Sequence, residues 1–270
     1  MDVRGKCVVV TGGGGGIGRA LALECAAAGA RAVAVLDRDG AAAANVAAEI
    51  GSSAHACDVS DEQLLRATLD TVAAASGPIE LFCSNAGVAL GFPASGDVAE
   101  AGDEAWQRSW SVNVMAHVYA ARILFPHMRA CGGGAFLITA SAAGLLSQIG
   151  SAVYSTTKHA AIGLAESLAI SHRADGIQVA VLCPQGVDTA MLRSLPAGPQ
   201  AGDGVLDPAA VARSALAGLA AQQFLILPHP EVASYMQRTA ADYDRWIGGM
   251  ERLRRAYAAA DQPAKPRNGP

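Results

Sequence analysis

A tyrosine and a lysine four residues apart are the side chains of this sequence best suited to proton transfer. Tyr154 and Lys158 lie in a stretch with helical periodicity, so they share one face. A phenol has a pKa near ~10 and is a poor base at neutral pH, but a neighbouring ammonium favours the phenolate. Ser141, which follows an apolar run, can hold a carbonyl or alcohol oxygen. The three together suit proton transfer at oxygen while hydride moves at carbon. Taken alone, the Tyr/Lys spacing favours an ordinary amphipathic contact.

A run of five glycines, residues 12–16, is the feature that changes this weighting. It stands between the apolar residues 7–10 and the helix-forming residues 19–24. A tight turn from a strand into a helix needs residues that tolerate positive φ and let a ligand approach the backbone, and both needs select glycine. The helix would direct unpaired N–H groups at a diphosphate. A flexible linker is disfavoured because the flanking strand and helix follow so closely.

Asp37 ends a second predicted strand, residues 31–36, about twenty residues past the glycine run. An acid there can accept hydrogen bonds from an adenosine ribose and repels a 2′-phosphate. No Lys or Arg lies among residues 12–16, so NAD is favoured over NADP. Arg38 complicates this choice, because its guanidinium can swing toward a phosphate. On its own, Asp37 is explained equally well as an exposed turn residue.

Short apolar runs alternate along the chain with helical stretches of ten or more residues. This alternation predicts an α/β fold: a doubly wound, Rossmann-like parallel sheet of about seven strands with helices on both faces. Ligands of such sheets bind at the carboxyl ends of the strands. Residues 1–260 are expected to form one domain, with helices over 103–130 and 231–258, and residues 261–270 to form a disordered tail.

Composition restricts the classes of partner. The chain has 270 residues, a formal net charge of −4 with scattered charges, and 51% hydrophobic residues. No basic patch favours nucleic acid or an anionic membrane. The six cysteines are widely spaced without a CxxC pair, which disfavours a metal site. No run reaches the ~20 apolar residues of a membrane span, and residues 1–5 lack a signal-peptide pattern, so a cytoplasmic protein is expected.

Several motifs follow one another between residues 6 and 189, and their joint occurrence is more specific than any one of them. They are Thr11 with the glycine run, Ile17 and Gly18; Asp58-Val59; Asn85-Ala86-Gly87; Asn113; Ser141; Tyr154 with Lys158; and Pro184 to Thr189. With these residues the chain resembles the short-chain dehydrogenase/reductase family in its single-domain form. Two positions depart from the family's pattern: Ser84 stands where asparagine is usual, and Gln185 separates Pro184 from Gly186.

The resemblance implies a role for each matching residue. Tyr154 is the expected general acid/base and Ser141 positions the reacting oxygen. Lys158 is expected to bond the nicotinamide ribose and to lower the tyrosine pKa, and Asn113 to support a water that relays protons from Lys158. The expected cofactor contacts are Gly12, Gly15, Gly16, Ile17, Gly18, Asp37, Arg38, Asp58, Val59, Asn85, Ala86, Gly87, Tyr154, Lys158, Pro184, Gly186, Val187 and Thr189. Asn113 can instead cap or bend its helix, and Asp58 can be a helix N-terminal acid.

The substrate side is read from apolar residues after the fifth and sixth strands, which predict a pocket for a hydrophobic secondary alcohol or ketone. The expected substrate contacts are Ala143, Gln185, Met191 and Leu192. The C-terminal helix, which carries Tyr235, Trp246 and Met250, either roofs this pocket or packs on the domain; the sequence favours neither.

These expectations describe an NAD-dependent alcohol dehydrogenase or ketone reductase with a small hydrophobic substrate. The family resemblance also implies a homotetramer or dimer built on the helices near 103–130 and 152–173. An NADP-dependent carbonyl reductase is a close alternative. A catalytically silent NAD-binding sensor or interaction protein on the same scaffold is another, although such a protein need not keep Ser141, Tyr154 and Lys158 together.

Overall fold

The structure is a computed structural model that describes residues 1–196 and 198–260. The tail predicted over 261–270 lies outside the described residues. Short apolar segments form a seven-stranded sheet in the order β3-β2-β1-β4-β5-β6-β7, with every pair of neighbours parallel. The strands are β1 (Cys7–Thr11), β2 (Ala32–Asp37), β3 (Ser53–Ala56), β4 (Leu81–Ser84), β5 (Gly134–Thr139), β6 (Ile177–Leu182) and β7 (Leu225–Ile226).

Helices cover both faces of this sheet, as predicted. They are α1 (Gly16–Ala27), α2 (Gly40–Glu49), α3 (Glu62–Ser76), α4 (Asp103–Trp110), α5 (Ala116–Ala130), α6 (Ala143–Leu146), α7 (Ala152–His172), α8 (Ala190–Ser194), α9 (Pro208–Ala220), α10 (Glu231–Ala241) and α11 (Tyr243–Ala260). Alternate residues of a strand point to opposite faces, so Val9 packs with α3, α5 and α7, and Val10 packs with α1, α2 and α9. The result is a three-layer domain with an apolar core on each side of the sheet.

Two predicted helices are interrupted in the structure. The stretch over 103–130 contains a π-helical turn, Ser111–Met115, between α4 and α5. The single helix predicted over 231–258 is wrong, because Asp242 has an extended backbone (φ −158°, ψ 95°) between α10 and α11. The Asp242 carboxylate accepts a hydrogen bond from Arg245 N at 2.9 Å and so caps the first turn of α11. The residue type alone does not distinguish an aspartate that caps a helix from one inside a helix, so the sequence did not indicate this boundary.

The topology leaves a crevice at one edge of the sheet. The chain runs outward from β1 to β2 and β3, then returns to place β4 on the other side of β1. Connections after β1 and β4 therefore diverge, and ligands of parallel sheets bind at such a switch point. Within the described residues, none of the helices combines the length and the apolar character needed to cross a bilayer.

Candidate active site

A cavity of about 1230 Å³ runs along the carboxyl edge of the strands. Pockets for one drug-sized ligand are roughly 300–1,000 Å³, so this one has room for a cofactor and a substrate together. The predicted residues that line it are Gly12, Gly15, Gly16, Ile17, Asp37, Arg38, Asp58, Val59, Asn85, Ala86, Gly87, Ser141, Ala143, Tyr154, Lys158, Pro184, Gln185, Val187, Thr189, Met191 and Leu192. Gly18, Asn113 and Gly186 lie behind the wall.

Several glycines of the loop after β1 are packed too tightly for a side chain. Gly12 has φ +63°, and a Cβ there would lie 2.9 Å from Ala86 Cα. A Cβ on Gly18 would lie 2.0 Å from the Gly12 carbonyl oxygen, so this glycine lets α1 pack closely against the loop. Helix α1 begins at Gly16 and directs its first N–H groups into the cavity. A backbone cradle at a helix N-terminus fits the diphosphate of a dinucleotide.

Thr11 fastens the ends of β1 and β4 together. Its Oγ1 accepts hydrogen bonds from Asn85 N at 2.9 Å and Ala86 N at 3.1 Å. Asn85 Nδ2 in turn donates to the Thr11 carbonyl at 3.0 Å. Because Thr11 is 2% exposed, these bonds are shielded from water. The predicted site residues omitted Thr11, although it opens the glycine motif and holds two predicted cofactor contacts in place.

Two carboxylates lie at the end of the cavity nearest β2 and β3. Asp37 Oδ2 accepts from Gly14 N and Oδ1 from Asp39 N, both at 2.9 Å, and each oxygen keeps a lone pair for a ligand. Asp58 Oδ2 accepts from Arg108 at 3.1 Å. Burial would raise the pKa of Asp58, but hydrogen bonds from Ser60 and Arg108 together hold it below its ordinary value. Arg108, which lines the cavity, is a further site residue that the sequence analysis missed.

Tyr154, Ser141 and Lys158 come together near the middle of the cavity. Tyr154 and Lys158 project from the first two turns of α7, and the Lys158 ammonium lies 5.7 Å from the centre of the tyrosine ring. Burial raises the pKa of Tyr154, while a hydrogen bond with the Ser141 side chain acts in the opposite direction. The direction is contrary to that expected from the neighbouring ammonium. Burial also lowers the pKa of Lys158 to about 8, and its Nζ donates to the Thr139 carbonyl at 3.1 Å.

Asn113 stands in the π-helical turn and is fully buried. Its Oδ1 accepts from Val88 N at 2.8 Å, and its Nδ2 donates to Val88 O at 2.9 Å and to Thr157 Oγ1 at 3.1 Å. These bonds tie the loop after β4 to α7, which carries the tyrosine and lysine. The side chain makes no hydrogen bond to its own helix among the described residues, and its expected role in supporting a proton-relaying water stays a prediction.

His117, one turn after Asn113, is buried beside the lysine. Its Nδ1 lies 2.6 Å from Ser84 Oγ, so the serine that departs from the family's pattern has a specific partner. Among the described residues, its Nε2 has no hydrogen-bond partner. Burial and repulsion by the Lys158 ammonium lower the pKa of His117 to about 3, which keeps the ring neutral at physiological pH. The sequence analysis missed this pair, whose members are 33 positions apart.

The far end of the cavity is mostly apolar and is roofed by the C-terminal helices. Ala143, Met191 and Leu192 contribute to its wall, and Gln185 lies beside them. Its backbone N–H donates to His229 Nδ1 at 3.2 Å, which fixes the unusual residue after Pro184. The roof comes from α10 and α11 through Tyr235, Trp246 and Met250. Of the two alternatives for the C-terminal segment, the structure therefore shows the roof.

The amino-acid sequence matches the family model described as short chain dehydrogenase over residues 6–200. One relative, the 1-deoxy-11-beta-hydroxypentalenate dehydrogenase of Streptomyces exfoliatus, is 35% identical over 203 residues, 73% of this chain and 73% of the relative. A short-chain dehydrogenase/reductase from Burkholderia phymatum, solved in complex with NAD, is 28% identical with a TM-score of 0.80, over 90% of this chain and 96% of that one. The 3-ketoacyl-(acyl-carrier-protein) reductase of Brucella melitensis, solved with NADH, is 28% identical with a TM-score of 0.77, over 83% of this chain and 96% of that one.

The match to the family model extends from β1 to the loop that follows α8 and so includes the glycine loop, Ser141, Tyr154 and Lys158. The resemblance drawn from the motifs is thereby confirmed, and the predicted doubly wound sheet is the architecture observed. The chain is an oxidoreductase of the short-chain dehydrogenase/reductase family.

Proposed function

We propose that this protein is an NAD-dependent oxidoreductase that interconverts a hydrophobic secondary alcohol and its ketone. One observation carries the proposal: a single cavity joins the glycine loop to the Tyr154 phenol and then to an apolar wall. Two structural relatives were solved with NAD or NADH, and a sequence relative is named as a hydroxypentalenate dehydrogenase. Both facts support a nicotinamide cofactor and an alcohol substrate.

In this proposal Tyr154 moves the proton at the reacting oxygen. Bound NAD supplies the hydride acceptor for oxidation, and NADH supplies the donor for the reverse reaction. Tyr154 Oη takes the proton of the substrate hydroxyl, and Ser141 Oγ hydrogen-bonds the same oxygen. Burial raises the pKa of the phenol, so its ionisation depends on the charge of Lys158. With its pKa lowered to about 8, Lys158 is still mostly protonated at pH 7.

The preference for NAD is assigned to Asp37. Its carboxylate is held by two backbone N–H groups, can accept ribose hydroxyls, and would repel a 2′-phosphate. Arg38 also lines the cavity, so removal of the carboxylate leaves a cation free to attract that phosphate. Asp37→Ala is therefore expected to lower the ratio of kcat/KM for NAD to that for NADP by about tenfold or more, since one charged hydrogen bond is worth ~1.5–3 kcal/mol. An unchanged ratio would remove Asp37 as the selector and favour the NADP-linked reductase.

The central test is reduction of NAD, followed by absorbance of NADH, against a size-graded panel of secondary alcohols. Tyr154→Phe is expected to lower kcat by about 10²- to 10⁴-fold, which is the usual contribution of general acid/base catalysis. Binding of NADH, measured by its fluorescence, is expected to persist in this variant. Tyr119→Phe is the matched control, because Tyr119 is a half-buried tyrosine of α5 outside the cavity wall.

Turnover that survives in Tyr154→Phe at the wild-type rate contradicts the proposed mechanism. NADH binding without turnover of any alcohol favours the catalytically silent sensor instead. The convergence of Tyr154, Ser141 and Lys158 argues against that reading, because a protein that only binds the cofactor has no use for a phenol and a hydroxyl at the same oxygen position.

The proposal includes a homo-oligomer, a tetramer or a dimer, in the cytoplasm. Ile170 supports an assembly because this large apolar side chain is 83% exposed on the outer face of α7, the helix whose other face packs on the sheet. Light scattering at micromolar concentration is the measurement for this part, and a monomer mass would contradict it.

A further inference from the structure

Three arginines face the cavity from its roof. Arg238 projects from α10, and Arg245 and Arg252 project from α11. The last two are seven residues apart, which places them on one face of the helix, separated by about 10 Å along its axis. The same helix face supplies apolar lining through Trp246 and Met250. The roof is therefore an apolar surface edged by a row of guanidinium groups.

These arginines differ from most others of the chain in having no carboxylate within 4.0 Å among the described residues. Nine arginines do have one: Arg19, Arg31, Arg66, Arg108, Arg122, Arg129, Arg193, Arg213 and Arg255. Eight of these nine stand outside the cavity wall, and Arg108 is the exception. Ion pairing is thus the common state of arginine in the described part of the chain. The three roof arginines lack it, as do Arg4, Arg38, Arg173 and Arg254, but only the roof places three such arginines together on one cavity wall.

Two carboxylates near the roof are engaged elsewhere. Asp203 Oδ1 accepts from the Tyr235 hydroxyl at 2.8 Å, and Asp242 Oδ1 accepts from the backbone N–H of Arg245 at 2.9 Å. The guanidinium of Arg238 stands 5.6 Å from the centre of the Tyr235 ring and is directed by that stacking. Three guanidinium groups against two carboxylates leave this end of the cavity with a positive balance.

The roof also has space beside Arg252. Gly248 and Gly249 stand inside α11, where each glycine costs roughly 1 kcal/mol relative to alanine. The space that a Cβ would occupy lies 3.6 Å from Arg252 Nη1 at Gly248 and 3.9 Å from Nη2 at Gly249. Both separations are ordinary van der Waals distances, so the Arg252 guanidinium lies against the helix surface at these glycines, and Gly249 itself lines the cavity.

We propose that the substrate is amphipathic and carries an oxyanion, a carboxylate or a phosphate ester, which Arg238, Arg245 and Arg252 bind while its secondary alcohol meets Tyr154. This inference rests on the proposed function and adds the substrate's charge to it. The apolar wall formed by Met191 and Leu192 accommodates the middle of such a molecule. Guanidinium groups suit the task because their planar N–H donors match the geometry of carboxylate and phosphate oxygens.

The test uses a series of secondary hydroxy acids of increasing chain length, each paired with its neutral primary amide, and a matching series of phosphate esters. The acid of the best-fitting length is expected to exceed its amide in kcat/KM by about 10- to 100-fold, mostly through KM, because charge-assisted hydrogen bonds contribute that much. The kcat/KM values of the phosphate esters are compared with those of the acids of the same chain length. The series with the higher values identifies which of the two oxyanions the site prefers.

The triple variant Arg238→Gln/Arg245→Gln/Arg252→Gln is expected to bring the acid-to-amide ratio close to one, and lysine at the three positions is expected to restore part of it. Arg254→Gln is the matched control, because Arg254 lies on the same helix but outside the cavity wall. It should keep the wild-type ratio. Added salt should lower the preference for the acid in the wild-type protein.

Calorimetric titration of acid and amide into the protein with bound NADH separates the two hypotheses. Failure of turnover with every alcohol would refute the proposed oxidoreductase function while leaving this binding comparison readable. Tighter binding of the acid than of the amide, lost in the triple variant and kept in Arg254→Gln, supports the inference. Equal affinity for acid and amide in the wild-type protein overturns it, whatever the turnover.

Discussion

Replacement of His117 by asparagine is expected to reduce the decrease in the free energy of unfolding that occurs as the pH is lowered. His117 is 1% exposed, and burial together with the Lys158 ammonium lowers its pKa to about 3, against 6.5 for the free side chain. Between pH 3 and pH 6.5 this imidazole is therefore protonated in the unfolded chain but neutral in the folded protein. The free energy of unfolding therefore falls as the pH drops below about 6.5 and continues to fall toward pH 3.

The size of the effect follows from the two pKa values. Between pH 7 and pH 5, protonation of the unfolded imidazole costs the folded state about 2 kcal/mol. Asparagine at position 117 keeps a polar group that can meet Ser84 Oγ, but it does not titrate in this range. The variant can be less stable than the wild type at pH 7, because it leaves a small cavity. Its further loss on acidification is nevertheless expected to be smaller by about 2 kcal/mol.

Urea denaturation of both proteins at each pH measures the difference. Other groups whose pKa is lowered on folding, such as His55, His229 and Asp58, are present in both proteins, so their contributions cancel. His127→Asn is the matched control, because it replaces an exposed histidine of α5, the helix that also carries His117. If wild type and His117→Asn lose the same free energy between pH 7 and pH 5, the buried neutral imidazole is refuted.

Two further substitutions test the packing and the electrostatics of the site. Gly18→Ala places a Cβ 2.0 Å from the Gly12 carbonyl oxygen, so the variant should unfold at a clearly lower urea concentration than the wild type and bind NADH weakly. Gly15→Ala is the control: no atom lies within 4 Å of the added Cβ, so this variant should keep the wild-type urea midpoint. Lys158→Met should abolish NAD turnover yet stabilise the ligand-free fold by about 1–2 kcal/mol, because relief of roughly 3 kcal/mol of burial cost exceeds the loss of one hydrogen bond. A Lys158→Met protein that denatures at lower urea than the wild type would show that the hydrogen bond to Thr139 outweighs the burial cost.

The layers of the domain and the residues at the sheet's ligand edge follow from local patterns. Buried parallel strands such as Cys7–Thr11 and Gly134–Thr139 are continuous apolar runs, and each is followed by small or polar residues. Those residues meet at one edge because all the strands run in parallel. Most predicted cofactor contacts therefore line the cavity without any knowledge of side-chain packing.

The exceptions are residues whose surroundings come from distant parts of the chain. Gly186 was predicted to touch the cofactor, but a Cβ there would lie 2.5 Å from the Gln200 carbonyl oxygen, so packing against a later loop accounts for it. Ser84 and His117 form a pair across two elements, and neither residue alone predicts the other. The break at Asp242 consists of an extended backbone and a carboxylate that caps α11 through Arg245 N, and helical periodicity encodes neither.

The polar groups behind Tyr154 argue that this part of the core is retained for function rather than for stability. Lys158 Nζ is a buried ammonium that donates to the Thr139 carbonyl, and the nearby His117 Nε2 and Thr139 Oγ1 have no partner among the described residues. Each such group costs roughly 1–3 kcal/mol, and apolar side chains of similar size would remove the cost. A core that served only the fold would gain by such replacements. Their concentration next to the tyrosine is what the proposed proton transfer requires, because a buried cation acts on the phenol without screening by water.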